Sequence, residues 1–327
     1  MTESSGIWRG QRALVTGGLG FIGNAVVRQL VAAGAHVRVL DALLPQGGGS
    51  PRHLRGVSSE IDVIIDDTRS RDAVDRAVRE CDVVFHLAGH AGFSAFAPDW
   101  YSEIDSALLG TLNVLEAVRV HSPRARVVFG SALGVYGRPE HAHVAETART
   151  EPLTLFGVHK LAGEKYCSVY HTQHGVRTVS ARIAWLFGPR QRLSGAANGT
   201  IANALDAAIH GEVIRLPDDG APLLDVLHVD DAASALLAIA QAPSHIDGGL
   251  INVGRGEGVT LRSIAEQLVA AVGSGEIREL PAAGGQGASV VTDITRLRRI
   301  EPTWQPLALD IALAQTVRWY RGDDDAA

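Results

Sequence analysis

The first half of the chain alternates short runs of β-branched and apolar residues with longer amphipathic stretches. Short apolar runs bounded by polar turns are typical of strands that are buried on both faces, and the stretches between them repeat apolar residues at helical spacing. The pattern predicts strands at 12–16, 36–40, 62–65, 82–87, 126–129 and 177–183, and helices at 21–33, 71–80, 100–121 and 154–174. Strands that alternate with crossover helices predict an α/β fold with a doubly wound parallel sheet.

After Ile183 the pattern breaks into short elements separated by turns rich in glycine, proline and serine, which predicts a smaller C-terminal substrate lobe. We expect this lobe to comprise residues 185–224 and 259–320. A helix at 230–240 and a strand at 250–253 are expected to return to the sheet, so that 225–258 join 1–184 in one domain. Residues 321–327 form an acidic tail.

The composition excludes several classes of protein. Hydrophobic residues make up 46% and charged residues 20% of the chain, as in ordinary globular proteins. A net charge of -6 argues against a nucleic-acid or anionic-membrane partner. Two cysteines, Cys81 and Cys167, favour neither a disulfide framework nor a structural metal site. No apolar leader is apparent at 1–11, and no apolar run approaches the roughly 18 residues that span a bilayer. We therefore expect a cytoplasmic protein.

A glycine-rich turn joins the first strand to the first helix, in the sequence Val-Thr-Gly-Gly-Leu-Gly-Phe-Ile-Gly at 15–23. Gly17 permits a tight turn, Gly20 lets the backbone approach a pyrophosphate, and Gly23 lets the helix pack on the strand. The helix N-terminus then presents free N–H groups to phosphate. Asp41 ends the second strand, where its carboxylate would bind the adenosine ribose and repel a 2′-phosphate. These residues predict a Rossmann domain that binds NAD rather than NADP.

Further motifs carry a resemblance to a known family. They are Asp66-Asp67, His86-Leu-Ala-Gly89, Val135-Tyr-Gly137, Lys160-Leu-Ala-Gly-Glu164, Phe187-Gly-Pro189 and His228-Val-Asp-Asp231. From about Arg12 to Tyr320 the chain resembles the extended short-chain dehydrogenase/reductases, especially the NAD-dependent epimerase/dehydratase family. The resemblance implies that Lys160 binds the nicotinamide ribose and that the protein acts on a small molecule as a homodimer. It implies further NAD contacts at Phe21, Ile22, Asp67, Thr68, Leu87, Ala88 and Gly89.

Three positions depart from the catalytic pattern that the resemblance implies. Phe156 stands where a tyrosine is expected, four residues before Lys160, and Ala132 stands where a serine or threonine is expected. Ala107 occupies the position of an asparagine. Of the usual four catalytic residues, only Lys160 remains.

This loss matters because oxidising a secondary alcohol requires removal of its hydroxyl proton, and a positioned acid or base contributes roughly 10²–10⁴ in rate. A phenyl ring cannot take the proton. The candidate bases are Lys160, if burial or a neighbouring positive charge lowers its pKa, and His90, which follows a strand end. His159 adjoins Lys160 on the same predicted helix but is expected to face elsewhere.

The substrate lobe departs from the pattern of nucleotide-sugar enzymes as well. Leu224 stands where an arginine is expected, and Trp185 stands where an asparagine is expected. Because an arginine can bind a diphosphate through two parallel hydrogen bonds, its loss favours a less charged or more apolar substrate. Phe93 and Trp185 are candidate contacts for that substrate, although both fit a hydrophobic core equally well. Arg192 is a candidate to compensate for the lost charge.

Three functions remain open. The first is an epimerase or dehydrogenase that acts on a sugar-like or secondary-metabolite hydroxyl or carbonyl without a catalytic tyrosine. The second is a non-redox lyase, cyclase or isomerase on the same scaffold, and the third is an NAD-binding pseudoenzyme. We favour the first, because the cofactor motif is complete. A fourth interpretation, that Ala132 and Phe156 were introduced to trap a substrate, does not account for Ala107, Leu224 and Trp185.

Overall fold

Seven parallel strands form the central sheet of the computed structural model, which describes residues 6–44, 47–89, 103–193, 200–216, 220–279 and 289–322. From one edge to the other they are β3 (Ile61–Ile65), β2 (His36–Asp41), β1 (Arg12–Thr16), β4 (Val83–His86), β5 (Arg126–Ala132), β7 (Arg177–Ile183) and β11 (Gly249–Val253). The chain winds outwards from β1 in one direction and from β4 in the other. The order therefore reverses between β1 and β4, where ligands of such sheets bind.

Helices cover both faces of the sheet. On one face, α1 (Phe21–Ala32) packs against α6 (Val229–Gln241). On the other face lie α2 (Arg71–Val78), α3 (Gly110–His121) and α4 (Leu155–His174). The inner strands β1, β4 and β5 are thus buried on both sides and largely apolar, whereas the edge strand β3 contains no buried residue. No helix among the described residues is long and apolar enough to cross a membrane.

A second hydrophobic core lies beyond the sheet. It is built from α5 (Thr200–His210), α7 (Leu261–Val272) and α9 (Leu309–Arg321), with β9 (Val213–Leu216) paired to β13 (Glu276–Glu279). Beside it, β10 (Leu223–His228) pairs with β8 (Trp185–Phe187) and β12 (Gly258–Thr260). The remaining elements are β6 (His143–Val144), β14 (Val291–Thr292) and the short helix α8 (Thr295–Ile300).

The strands of the sheet agree with the sequence prediction except for small shifts at their ends, the largest of which extends β5 to Ala132. Two predicted helices differ from the structure. The predicted helix at 71–80 ends at Val78, and Glu80 has a positive φ of 62°, which a helix cannot contain. The predicted helix at 100–121 is interrupted by a π-helical stretch at Asp105–Leu109, after which α3 begins.

The predicted return of the chain to the sheet is present, because β11 pairs with β7 and α6 packs against α1. The exact division into domains stays a prediction. Ile294, Leu297 and Trp304, which the sequence assigned to the second lobe, belong to the core formed by α1 and α6.

Candidate active site

A cleft of about 900 Å³, part of it open to solvent, lies at the carboxyl ends of β1, β2 and β4. It contains all the predicted cofactor residues except Lys160. Its lining comprises Gly17, Gly20, Phe21, Ile22, Gly23, Leu40, Asp41, Ala42, Leu44, Gly47, Gly49, Asp66, Asp67, Thr68, Leu87, Ala88, Gly89 and Ser106. The residues predicted to bind the cofactor, Lys160 excepted, therefore lie together on one continuous surface of the molecule.

Glycine is required at two positions of this cleft. Gly17 has a φ of +71°, and a Cβ there would lie 2.9 Å from the backbone of Ala88. At Gly23 a Cβ would lie 2.0 Å from the carbonyl oxygen of Gly17, which no side chain tolerates. Gly20 is the N-cap of α1, and no side chain caps the helix. The first turn of α1 therefore presents free backbone N–H groups and a positive helix end to the cleft, as a pyrophosphate requires.

Asp41 lines the cleft at the end of β2, next to the glycine-rich turn. Its Oδ2 accepts a hydrogen bond from Leu19 N at 2.9 Å, and its Oδ1 accepts one from Leu43 N at 2.9 Å. These bonds fix the carboxylate in place. Because each carboxylate oxygen has two lone pairs, both can still accept from ribose hydroxyls. The described residues of the cleft thus fit a dinucleotide that carries no 2′-phosphate.

A second, much smaller cavity, with interior room for about one water molecule, adjoins the first. Ala88 and Gly89 line both cavities, so this short segment after β4 is their common wall. The smaller cavity is further lined by Glu103, Ala107, Thr111, Phe129, Phe156, His159 and Lys160. Two of the positions that depart from the family pattern, Ala107 and Phe156, therefore meet in the same cavity as Lys160.

A chain of buried hydrogen bonds holds the common wall in place. Thr111 donates its hydroxyl to Ala107 O at 2.6 Å, and its Oγ lies 3.0 Å from His86 Nε2. Because the Thr111 proton is already used, His86 Nε2 donates to Thr111, and His86 Nδ1 accepts from Thr16 Oγ at 2.8 Å. Thr16 Oγ in turn accepts from Ala88 N at 3.2 Å.

Burial lowers the pKa of His86 to about 3, with a further contribution from the charge of Lys160. His86 therefore stays neutral and keeps a single tautomer. This role was not anticipated from the sequence, in which His86 figured only as part of a motif.

Lys160 projects from α4 toward the end of β5. Its Nζ donates to Gly130 O at 2.6 Å and lies 5.2 Å from the centre of the Phe129 ring and 5.6 Å from that of Phe156. Its apolar surroundings lower the pKa of Lys160 to about 8, and the carboxylate of Glu164 opposes part of this shift. A lysine in this state can bind or release a proton near neutral pH.

His159 also lines the smaller cavity, so the expectation that it faces elsewhere is wrong. Residues 156, 159 and 160 share one face of α4, because positions i, i+3 and i+4 of a helix lie side by side. The Nδ1 of His159 lies 3.6 Å from Glu103 Oε1, and both side chains are less than 10% exposed. Among the described residues, His159 Nδ1 has no hydrogen-bond partner. A buried imidazole beside a buried carboxylate therefore stands in the wall opposite the cofactor cleft.

The neighbour of Ala132 has a structural role. Ser131 donates to Glu164 Oε1 at 2.5 Å, and Arg182 donates to both oxygens of Glu164, at 2.9 and 2.7 Å. The Arg182 guanidinium lies 4.7 Å from the centre of the Tyr136 ring. The Arg182 and Glu164 side chains are each 2% exposed. Ser131 is thus engaged in a buried ion-pair network and is not directed into the smaller cavity.

The remaining predicted site residues lie apart or outside the described residues. Ala132 ends β5 but lines neither cavity. Trp185 begins β8 and packs against the second core. Arg192 is exposed, near Gly48 in the loop that follows β2. His90 and Phe93 fall within 90–102, which the structure does not describe.

Comparison with known proteins gives a consistent result. The sequence profile of the NAD dependent epimerase/dehydratase family matches residues 13–254. A UDP-glucose 4-epimerase of Mycolicibacterium smegmatis is 30% identical over 95% of this chain and 98% of its own length. A UDP-N-acetyl-alpha-D-glucosaminuronate decarboxylase of Bacillus cytotoxicus is 25% identical over 95% of this chain and 98% of its own.

Among solved structures, the UDP-glucose 4-epimerase of Thermus thermophilus in complex with NAD superposes with a TM-score of 0.83 at 32% identity. The match covers 95% of this chain and 99% of that one. The similar proteins thus include both an epimerase and a decarboxylase.

Proposed function

The chain belongs to the NAD-dependent epimerase/dehydratase family, and from this premise we propose that it is an enzyme of that type that works without a catalytic tyrosine. Its cofactor is NAD. The proposed substrate bears a secondary hydroxyl or carbonyl group, on a sugar-like molecule or a secondary metabolite. The observation that carries this proposal is the common wall at Ala88 and Gly89, which places Lys160 and its cavity directly beside the cofactor cleft.

The residues that would hold NAD are those of the larger cleft. Gly17, Gly20 and Gly23, with the N-terminus of α1, form the proposed pyrophosphate site, and Asp41 would bind the adenosine ribose. Phe21, Ile22, Asp67, Thr68, Leu87, Ala88 and Gly89 complete the proposed contacts, and Lys160 would bind the nicotinamide ribose. When bound, NAD supplies a hydride acceptor. The task left to the protein is to move the proton of the hydroxyl.

Phe156 cannot move that proton, and Ala132 offers no hydroxyl to orient the substrate. We assign the proton to Lys160, the one base predicted from the sequence that the structure describes. With a pKa of about 8, a large fraction of its amine is neutral in weakly alkaline solution and able to accept a proton. This charge state is favoured by the complete burial of the amine, which disfavours its charged form.

The similar proteins act on UDP-sugars, and we propose that this chain accepts a less charged relative of them. Leu224 lies on β10. Trp185 lies on the neighbouring strand β8, where its register partner on β10 is Val226. Both side chains pack against the second core, where an arginine and an asparagine would have offered polar contacts. The diphosphate of a nucleotide sugar would therefore gain little from these two positions.

We further propose a homodimer formed through the outer faces of α3 and α4. Five apolar side chains on these helices and the stretch before α3 are 43–50% exposed: Leu109, Val120, Leu155, Val158 and Val169. Burying such a surface against a second copy would stabilise the assembly.

The proposed function is tested by the absorbance of the NAD-loaded protein near 340 nm. The probes are UDP-glucose, UDP-galactose and their uncharged methyl glycosides, with product analysis in parallel. We expect at least one probe to reduce the bound cofactor, and we expect Lys160→Met to slow this reduction by about 10²-fold or more. Lys165→Met, an exposed change on the same helix, is the matched control. Turnover without any NADH would support a lyase or isomerase, and NAD binding without turnover would support a pseudoenzyme.

A further inference from the structure

We propose that Glu103 and His159 form a proton-accepting pair that takes the substrate proton from Lys160. This inference rests on the proposed function, because the proton in question is the one released when the substrate hydroxyl is oxidised. It assigns a role to two buried ionisable side chains that no motif of the chain identifies.

Geometry is the first support. Glu103, His159 and Lys160 line one small cavity, and Ala88 and Gly89 are shared between its lining and that of the cofactor cleft. Among the described residues, His159 Nδ1 is a buried nitrogen without a hydrogen-bond partner, and its nearest ionic partner is Glu103 Oε1 at 3.6 Å. Such long contacts at acid–base pairs commonly shorten when substrate binds.

The composition of the cavity wall is the second support. Ala107 and Phe156 contribute a methyl group and an apolar ring to its wall, where the family pattern expects an amide and a phenol. The polar groups that remain on the wall are those of Glu103, Thr111, His159 and Lys160. Thr111 is already committed to His86 and to the carbonyl of Ala107. Glu103 and His159 are therefore the ionisable groups that accompany Lys160 in the described lining of this cavity.

Charge is the third support. The titratable groups that face His159 and Lys160 from the described elements are Glu103, His86 on β4 and Glu164 one turn along α4. Glu164 is bound by a buried arginine, and His86 is held neutral by burial. Glu103 is thus the available countercharge. Its Oε1 lies 3.6 Å from Nδ1 of His159, so a proton on that imidazole has an acceptor beside it.

The proposed step balances as follows. The neutral amine of Lys160 takes the hydroxyl proton. NAD, when bound, would supply the acceptor for the C–H hydrogen and its two electrons, so that the C–O bond becomes C=O. Nζ of Lys160 then gives one proton to Nε2 of His159, and Glu103 holds the proton on Nδ1. One alcohol becomes one carbonyl, and one proton rests on the pair. The reverse sequence reduces the carbonyl.

The test compares His159→Asn, His159→Ala and Glu103→Gln with wild type in single-turnover reduction of bound NAD by the probe that reduces the wild-type enzyme. His174→Asn, at the exposed end of the same helix, is the matched control. We expect both His159 variants to slow reduction by about 10²-fold and to lower the amount of NADH at equilibrium, with NAD affinity within about twofold of wild type. The double variant with His159→Asn and Glu103→Gln should reduce the cofactor only slightly more slowly than His159→Asn alone, because the two residues act as a unit.

Two readouts separate this role from a structural one. Free imidazole should restore part of the rate of His159→Ala, because the deleted ring leaves space in the cavity. The ¹⁵N spectrum of histidine-labelled protein should show the His159 proton on Nδ1 in wild type, and Glu103→Gln should change that tautomer distribution. Wild-type rates in His159→Asn, or no response to imidazole while NAD affinity is unchanged, would overturn the proposal.

The failure of the proposed function is distinguishable from the failure of this inference. If no probe reduces the cofactor in wild type, the redox function is refuted, and the ¹⁵N spectrum still decides on the pair. A resting tautomer with its proton on Nε2 would then contradict the pair as well.

Discussion

The buried amine of Lys160 makes the stability of this protein depend on pH in a way that a single substitution can isolate. Lys160→Met keeps most of the volume of the side chain and removes its charge. Because the amine lies within 6 Å of the ring centres of both Phe129 and Phe156, methionine suits the same surroundings. We expect the variant to be more stable than wild type at pH 7, although it loses the hydrogen bond to Gly130 O.

The magnitude follows from the pKa. The pKa of Lys160 falls from 10.5 to about 8 on folding, and at 1.36 kcal/mol per pKa unit this corresponds to about 3 kcal/mol of destabilisation below pH 8. Water that reaches the cavity lowers this figure, and the lost hydrogen bond subtracts about 1 kcal/mol. The expected gain in the free energy of unfolding is therefore about 1–2 kcal/mol. Between about pH 8 and 10.5 the unfolded chain binds more protons than the folded one. The free energy of unfolding of wild type therefore rises over this pH window relative to that of Lys160→Met, and the difference between the two proteins closes.

The assay is equilibrium urea unfolding at pH 7, 8, 9 and 10.5, followed by tryptophan fluorescence and circular dichroism. Lys165→Met, which removes the other lysine of the chain from an exposed position on α4, should differ from wild type by an amount that does not change with pH. If Lys160→Met is no more stable than wild type at pH 7, and the difference stays constant up to pH 10.5, then Lys160 has an ordinary pKa. It would then be a cation at neutral pH, and the proton transfer assigned to it would be wrong.

Three further predictions concern the cofactor cleft and the core. Gly23→Ala should abolish NAD binding in calorimetry, because its Cβ would lie 2.0 Å from a backbone oxygen, whereas Gly6→Ala, whose Cβ meets no atom within 4 Å, should bind normally. Asp41→Ala should weaken NAD about 10–100-fold and reduce the preference over NADP; an unchanged preference would remove Asp41 from the ribose site. Arg182→Met should lower the free energy of unfolding by about 3–5 kcal/mol, since it leaves a buried carboxylate unpaired, while the exposed change Arg215→Met should cost almost nothing.

The cofactor cleft could be predicted from sequence because its determinants are local. The turn at 15–23 and Asp41 sit at strand ends that the apolar runs already identify, and parallel strands bring such ends to one edge. The smaller cavity could not be predicted in the same way. Glu103 and His159 lie 56 positions apart, and the π-helical stretch at Asp105–Leu109, which changes the turn just before α3, leaves no clear mark in the pattern.

The sequence contains one indication that His159 lies on the same helical face as Lys160. His159 follows Phe156 by three residues, which places both on one helical face. Only Lys160, the next residue, was expected to share that face with Phe156. A helix face about 100° wide accommodates all three residues. The catalytic position of His90 and the substrate contact of Phe93 stay predictions, since both residues lie within 90–102.

The two cavities differ in what forms them, and this difference is consistent with NAD dependence beside the altered catalytic site that we propose. The cofactor cleft is built mainly from backbone, with glycines that admit no Cβ and free N–H groups at the start of α1, so that it does not depend on the identity of residue 156. The smaller cavity is built from side chains, so single substitutions change its chemistry directly. Thr16, His86 and Thr111 join the two by fixing the segment that they share. Family membership therefore determines the cofactor, whereas the proposed reaction rests on Lys160 and the side chains that surround it.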